Sequence, residues 1–334
     1  MTDGSDPASE LDLRPATSTD RPQILALLGR TVGWPADEQG SRYFAWKHDT
    51  NPFGPSPSWV ALDGPRIVAF RTFLRWELVR HGVVIRAARA VDTATHPDYQ
   101  GRGLFSRLTR HALGELERDG TALIFNTPNP VSRPRYLRLG WRDVGRVPVA
   151  IRPCSARGAT LAVRARGAVD LGSASSEAGI PAAEGLRYDS RVDPLLAARG
   201  PDDRVRTHLT LAFLRWRYGG SEIRYRALCI DDAGASGLAI FRVRNRGGAR
   251  EALLCELLTS PGVDPRVRTV LARRVAATVD ADYVIAVGAT ARWRAGFFRV
   301  PGRGPRLVAR AVGDGRTVPT AAAWALGAGD LELM

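Results

Sequence analysis

RAVDTAT (89–95), HPDYQGRG (96–103) and SRLTRHALGELERDG (106–120) follow one another almost without interruption. The first alternates in the manner of a strand, and the last repeats apolar residues at helical spacing. Between them, Gln100, Gly101, Arg102, Gly103 and Leu104 form a turn that delivers backbone amides to a helix start. Unpaired N–H groups and the helix dipole make such a place receptive to anions. The stretch therefore reads as a site for a phosphorylated ligand.

Next come TALIFN (121–126), an apolar run of strand length, and TPNPVSRPRYLRLGW (127–141), with an aromatic end. Together these residues resemble the GCN5-related N-acetyltransferases (GNAT), whose Gln/Arg-x-x-Gly-x-Gly/Ala signature cradles the pyrophosphate of acetyl-coenzyme A between a splayed strand and a helix. Gln100-Gly101-Arg102-Gly103-Leu104-Phe105 follows that signature except at its last place, where Phe105 replaces Gly or Ala. The turn keeps its use if only the backbone N–H of Phe105 faces the phosphate. The family also has an Asn that approaches the pantetheine and a Tyr-x-x-x-Gly-Phe/Trp ending; Asn129, Tyr136, Gly140 and Trp141 match in order.

The resemblance implies an α/β chain with a mixed sheet, the acyl-CoA N-acyltransferase fold, and acetyl-CoA as co-substrate with no metal. It places the cofactor contacts at Thr93, Ala94 and Thr95 on the strand, at Gln100, Gly101, Arg102, Gly103, Leu104, Phe105 and Ser106 in the turn, and at Asn129. Acetyl transfer needs a deprotonated amine, a stabilised oxyanion and a proton for the departing thiolate. Tyr136 is the general acid by its match, since a phenol can protonate a thiolate. Asp92, on the cofactor strand, and Glu77, on its neighbour, are candidate bases, with His48, His81 and His96 unassigned. In related two-copy aminoglycoside acetyltransferases of mycobacterial type the terminal carboxylate is the base, which makes Met334 a further catalytic candidate.

At 334 residues the chain exceeds one such unit, and its 44% hydrophobic content is ordinary for a globular protein. No apolar run approaches the length needed to cross a membrane, and the acidic, polar start MTDGSDPASELD is not a signal peptide, so a cytoplasmic protein is expected. The net charge is +14, yet Lys47 is the only lysine and the arginines are scattered. A solvated surface explains that better than a nucleic-acid face. Cys154, Cys229 and Cys255 lack metal-site spacing and fit a reducing compartment.

LDLRPAT (11–17) reads as a strand, DRPQILALLGRTVG (20–33) as a helix capped by Asp20, and SRYFAWKHD (41–49) as a second helix. Three antiparallel strands follow at 58–64, 66–82 and 83–95, with Asp63-Gly64 and His81-Gly82 as turns. Residues 152–200, poor in large apolar side chains, read as a linker or crossover. Beyond them FLRWRY (213–218), IRYRALCIDD (223–232), SGLAIFRV (236–243) and ALLCELLTSP (252–261) echo the first half. The expected organisation is a catalytic unit at 1–153, a linker at 154–200 and a degenerate second copy at 201–334. TSPGVDPRVRTVL (259–271) lacks the glycine signature, so no cofactor is expected there.

The leading expectation is transfer of an acetyl group to a primary amine of a small molecule such as an amino sugar or aminoglycoside. Aromatic residues such as Trp34, Phe44 and Trp46 beside Asp37 and Glu77 suit that acceptor. A protein or peptide N-acetyltransferase and a non-catalytic CoA-binding module are the alternatives. Neither a nucleic-acid nor a membrane partner is expected, and a homo-oligomer stays open.

Overall fold

The computed structural model describes residues 11–35, 37–164, 172–220, 223–232, 235–260, 265–292 and 296–331. Met334 lies outside the described residues. Two compact units divide the chain. The first takes 11–77, Ile85–Asp143 and Leu307–Val318; the second takes Leu78–Val84, Val144–Arg306 and the chain from Pro319 on.

The first unit begins with β1 (Asp12–Pro15), α1 (Arg21–Val32) and α2 (Glu38–Phe44), the last running into a π-helical turn at Ala45–Asp49. The sequence suggests a start for α2 at residue 41, but the Asp37 side chain accepts from Gly40 N at 3.0 Å and caps the helix earlier. Asp20 does not cap α1. Its carboxylate instead accepts from Thr17 N at 2.7 Å and from both terminal nitrogens of Arg14 at 2.7 and 2.8 Å. Next are β2 (Ser58–Asp63), β3 (Arg66–Arg80), β4 (Val83–Thr95), α3 (Leu104–Arg118), β5 (Leu123–Asn126), α4 (Arg133–Arg138) and β6 (Arg142–Arg146). The expected turn between β3 and β4 is there, with His81 and Gly82 both at positive φ as a tight hairpin requires.

β3 is buried along most of its length, as a strand covered on both faces must be. On one face α3 lays down Leu104, Leu108, Ala112 and Leu116, four residues apart, against Trp59, Phe73 and Ile124. On the other, Ile24, Leu27 and Leu28 of α1 meet Phe44, Val60 and Phe70.

The second unit contains β7 (Val149–Pro153), α5 (Ala156–Arg164), β8 (Ile180–Pro181), α6 (Ala182–Gly185), α7 (Asp189–Ala197), β9 (Arg206–Thr207) and α8 (Leu211–Tyr218). β10 (Arg226–Asp232), β11 (Ala235–Arg246), β12 (Ala249–Thr259), α9 (Pro265–Thr278), β13 (Tyr283–Val287), β14 (Phe298–Arg299) and α10 (Ala328–Leu331) follow, while β15 (Arg306–Ala311) belongs to the first unit. The stretch 152–200, read as a linker, thus carries three helices among its described residues. Few apolar residues suffice there because Leu186, Val192 and Leu195 are each fully buried.

The first sheet runs β1-β2-β3-β4-β5-β15-β6, with β9 paired to the end of β3, and the second runs β8-β10-β11-β12-β13-β7-β14. In each, the fourth and fifth strands are parallel and the sixth is antiparallel to the fifth. In each, that sixth strand comes from the other half of the sequence.

Candidate active site

The parallel ladder between β4 and β5 is three residues long, ending at Arg89 opposite Phe125. β4 then continues to Thr95 while β5 stops at Asn126, so the two strands part. A parting strand leaves backbone N–H and C=O groups that an extended amide-bearing chain can pair with. Thr93, Ala94 and Thr95 lie on this freed segment. It carries a local irregularity as well: Asp92 has φ +42, a left-handed conformation rare for a residue with a side chain.

Below the opening, Gly101 and Gly103 have φ of +80 and +72, and Gly103 is the residue on which α3 starts. A Cβ at either would meet nothing within 4 Å, so backbone conformation and open space, not crowding, call for glycine. Helix geometry leaves the first amides of α3, those of Leu104 and Phe105, without partners further back in the helix, while Ser106 N donates to the Gly103 carbonyl at 3.0 Å. A cavity of about 370 Å3 covers them, lined by Thr95, Gln100, Ser106, Arg110, Arg135 and Arg138 among others. The three arginines were not singled out in the sequence. Their signal was there, since Arg135 and Arg138 flank the matched Tyr136 and Arg110 lies four residues beyond Ser106 on α3.

Phe105 lines the same cavity. It packs edge-on against Tyr136, centroids 5.3 Å apart, and Tyr136 packs against Trp141 at 5.1 Å. The departure from the signature thus adds a wall to the Tyr136 pocket and leaves the N–H of Phe105 in place. Tyr136 is 4% exposed, and its hydroxyl accepts from Arg71 Nη1 at 2.9 Å. Its own O–H remains available to donate. Arg71 is fully buried, also bonds Thr93 Oγ1, and has no hydrogen-bond partner for Nε or Nη2. Asn129 is exposed, its side-chain oxygen accepting from Ser132 N at 2.8 Å. Asn126, at the tip of β5, is buried, with its side-chain oxygen unpaired.

Asp92 points to the α2 face. Lys47 Nζ lies 2.7 Å from its Oδ2, and His48 Nε2 lies 2.9 Å from the same oxygen. The other ring nitrogen of His48 is 2.9 Å from Ser56 Oγ, so Ser56, His48 and Asp92 form a continuous hydrogen-bonded chain. Burial alone would raise the Asp92 carboxyl, but Lys47 and His48 hold it down at about 2. Burial lowers His48, an effect that Asp92 offsets only in part. The chain is thus a carboxylate supporting a neutral imidazole. His96, by contrast, is tied to Arg66 at 2.6 Å and Arg30 at 2.9 Å through Nε2, and its Nδ1 accepts from Asp98 N at 3.3 Å.

Both His48 and Asp92 are lowered by folding, so their stabilising contribution is present at high pH and is lost as pH falls. The midpoint of urea unfolding should drop as pH falls below about 6.5, where an unfolded histidine takes up its proton, and drop again below about 4, where an unfolded aspartate does so while Asp92 in the folded chain stays ionised. His48→Gln should flatten the first step. A His48→Gln protein with the same dependence between pH 7 and 5 would contradict this assignment.

Among the described residues no helix is long and apolar enough to cross a membrane, and no group of three or more His, Cys, Asp and Glu could hold a metal ion.

Residues 12–144 match the family model of the acetyltransferase (GNAT) domain. Among solved structures, a GCN5-related N-acetyltransferase from Anabaena variabilis is similar with TM-score 0.65 and 13% identity, over 91% of this chain and 73% of that one. A probable N-acyltransferase from Enterococcus faecalis is similar with TM-score 0.61 and 12% identity, over 90% and 73%. Eis1 from Mycobacterium abscessus is similar with TM-score 0.55 and 14% identity, over 90% and 73%. No curated protein matches the chain. At such identities the structures speak for the fold, while the family match covers the parted strands, the glycine turn and Tyr136. Residues 12–144 therefore form an acetyltransferase (GNAT) domain, and the chain that carries it shares the fold of those solved structures.

Proposed function

We propose that the first unit transfers an acetyl group directly from acetyl-CoA to a primary amine of a small molecule, such as an amino sugar or aminoglycoside, within a ternary complex. The observation that carries this reading is the opening of β4 from β5 directly above a glycine turn whose cavity is lined by Arg110, Arg135 and Arg138. Those arginines and the α3 amides would hold the pyrophosphate, and the backbone of Thr93, Ala94 and Thr95 would pair with the pantetheine and polarise the thioester carbonyl. Tyr136 would protonate the departing thiolate.

A carboxylate held near 2 by a lysine is a weak proton acceptor, so Asp92 would act through His48. The neutral imidazole and the half-buried Ser56 hydroxyl would carry the amine proton away from the site. Met334 stays a candidate base by resemblance alone.

The second unit is proposed as a degenerate copy. Its sheet repeats the strand order of the first, and Trp216-Arg217-Tyr218 with Glu256 stands where Trp46-Lys47-His48 stands with Asp92. Tyr218 donates to Glu256 at 2.8 Å, as His48 pairs with Asp92. The absence of a cofactor there is an expectation that falls partly on residues 261–264, outside the described residues.

The test is CoA release with acetyl-CoA and a panel of amino sugars, aminoglycosides, polyamines and peptides. Turnover on aminated sugars at saturating acetyl-CoA is expected. Turnover confined to peptides would move the reading to a protein N-acetyltransferase, and cofactor binding without turnover on any amine would leave a CoA-binding module.

A further inference from the structure

Arg71 of β3 lies opposite Trp59 of β2 and is fully buried. A cation taken out of water is normally met by an acid, and a buried donor by an acceptor. Arg71 has neither in full. Among the described residues both of its hydrogen bonds run from Nη1 to neutral hydroxyls, that of Tyr136 at 2.9 Å and that of Thr93, while Nε and Nη2 have no partner. Aromatic rings take up the remaining contacts. The guanidinium carbon lies 4.3 Å from the ring centroid of Phe73 and 5.3 Å from those of Phe105 and Tyr136.

Packing does not ask for this residue. Ring faces attract a guanidinium, yet a methionine of similar volume would fill the space without a buried charge, and exchanges of buried ionic for apolar groups are often neutral or stabilising. A charge kept at such a place points to use in function, where stability is commonly given up for activity. The two hydroxyls that Arg71 joins fit that use. Thr93 lies on the part of β4 beyond its ladder with β5, and Tyr136 is the acid of the proposed reaction. Since Nη1 donates to the phenol oxygen, the phenol proton points away from Arg71.

We propose that Arg71 is a positioning residue for the transfer, acting through Tyr136: it sets the direction of the phenol O–H, ties it to the freed segment of β4, and supplies a fixed positive charge beside the place where negative charge builds. This rests on the reading of Tyr136 as the acid. In the transfer the amine nitrogen bonds the acetyl carbon, the carbon–sulfur bond breaks with its electron pair going to sulfur, and the sulfur takes the Tyr136 proton. The proton shed by the nitrogen leaves through the His48 chain, and solvent returns one to the phenol. Until then the phenolate accepts a charge-assisted hydrogen bond from Nη1. A buried, preorganised cation is worth more at such a step than one in water.

The experiment is a double-mutant cycle on the full chain, with Arg71→Met, Tyr136→Phe and the double variant, and with Arg71→Lys, which keeps the charge and enough donors for both hydroxyls. Turnover is read with the amino sugars of the panel, and acetyl-CoA binding by calorimetry. Arg71→Met should lower kcat by about 10²-fold, leave acetyl-CoA affinity nearly unchanged, and hold or raise the midpoint of urea unfolding. Arg71→Lys should restore most of the turnover. In the Tyr136→Phe background Arg71→Met should cost nothing further, because a residue acting through the phenol has nothing left to position. A readout free of any acceptor is the ultraviolet absorbance of the thiolate of bound CoA, which should appear at lower pH in wild type than in Arg71→Met. Losses that multiply in the double variant, or a thiolate titration that Arg71→Met leaves in place, would overturn the proposal. An inactive Tyr136→Phe beside a fully active Arg71→Met would overturn it and leave Tyr136 as the acid, whereas a fully active Tyr136→Phe would remove both.

Discussion

Tyr136→Phe is expected to lower kcat by roughly 10²- to 10⁴-fold while the dissociation constant of acetyl-CoA changes little, the range attributed to a positioned acid or base. The substitution removes one oxygen and keeps the ring. Phe105 and Trp141 continue to pack on it at 5.3 and 5.1 Å, so the pocket wall stays. Arg71 loses one acceptor but keeps Thr93, and one deleted hydrogen bond costs about 1 kcal/mol of stability, measurable as a small shift in the unfolding midpoint. Binding and chemistry therefore separate in this variant. If the hydroxyl only anchors Arg71, Tyr136→Phe and Arg71→Met would each impair stability and turnover would remain near wild type. Steady-state kinetics with a tight amine acceptor, beside calorimetric binding of acetyl-CoA, distinguish the two. A fully active Tyr136→Phe protein would remove Tyr136 from the mechanism.

The glycine turn, the strand before it and the tyrosine after it were legible because each rests on short-range geometry. A left-handed residue at the start of a helix asks for glycine, and Gly101 and Gly103 say so in the sequence. The hairpin at His81-Gly82 was legible for the same reason. What the sequence hid depends on long-range placement. Asp92 is one carboxylate among many until α2 brings Lys47 and His48 within 3 Å of it, through a π-helical turn that no local pattern announces. The role of Phe105 was also hidden, since only packing tells whether its ring or its amide faces the ligand.

The same limit governs the sheets. The repeat in sequence suggested two self-contained copies, yet β7 completes the second sheet and β15 the first. A strand signal carries its own alternation but not the identity of its neighbour. GWRDVGRVPVAIR and GFFRVPGRGPRLVARAV read alike, and each ends in the strand that joins the other sheet.

Gly103→Asp is expected to abolish measurable acetyl-CoA binding, a loss of at least a hundredfold in affinity. Two effects act together. The position sits at φ +72, where a side chain is strained by about 1 kcal/mol, though Asp is among the residues that tolerate it best. Far larger is the charge. The new carboxylate enters open space at the N-terminus of α3, inside the cavity bounded by Arg110, Arg135 and Arg138, where it would occupy the anion site and repel the pyrophosphate. The stability of the free protein should change little, because a carboxylate at a helix N-terminus is favourable and the site is open. Thermal unfolding reads both effects at once. Ligand at a hundred times its dissociation constant adds about 2.7 kcal/mol, a rise of several degrees in the midpoint. Wild type should show that rise and Gly103→Asp should not. Gly103→Ala, which brings the backbone strain without the charge, should keep most of it. Equal rises in wild type and Gly103→Asp would place acetyl-CoA away from this turn, and with it would go the reading of Thr93, Ala94, Thr95 and Tyr136 as groups that meet the thioester.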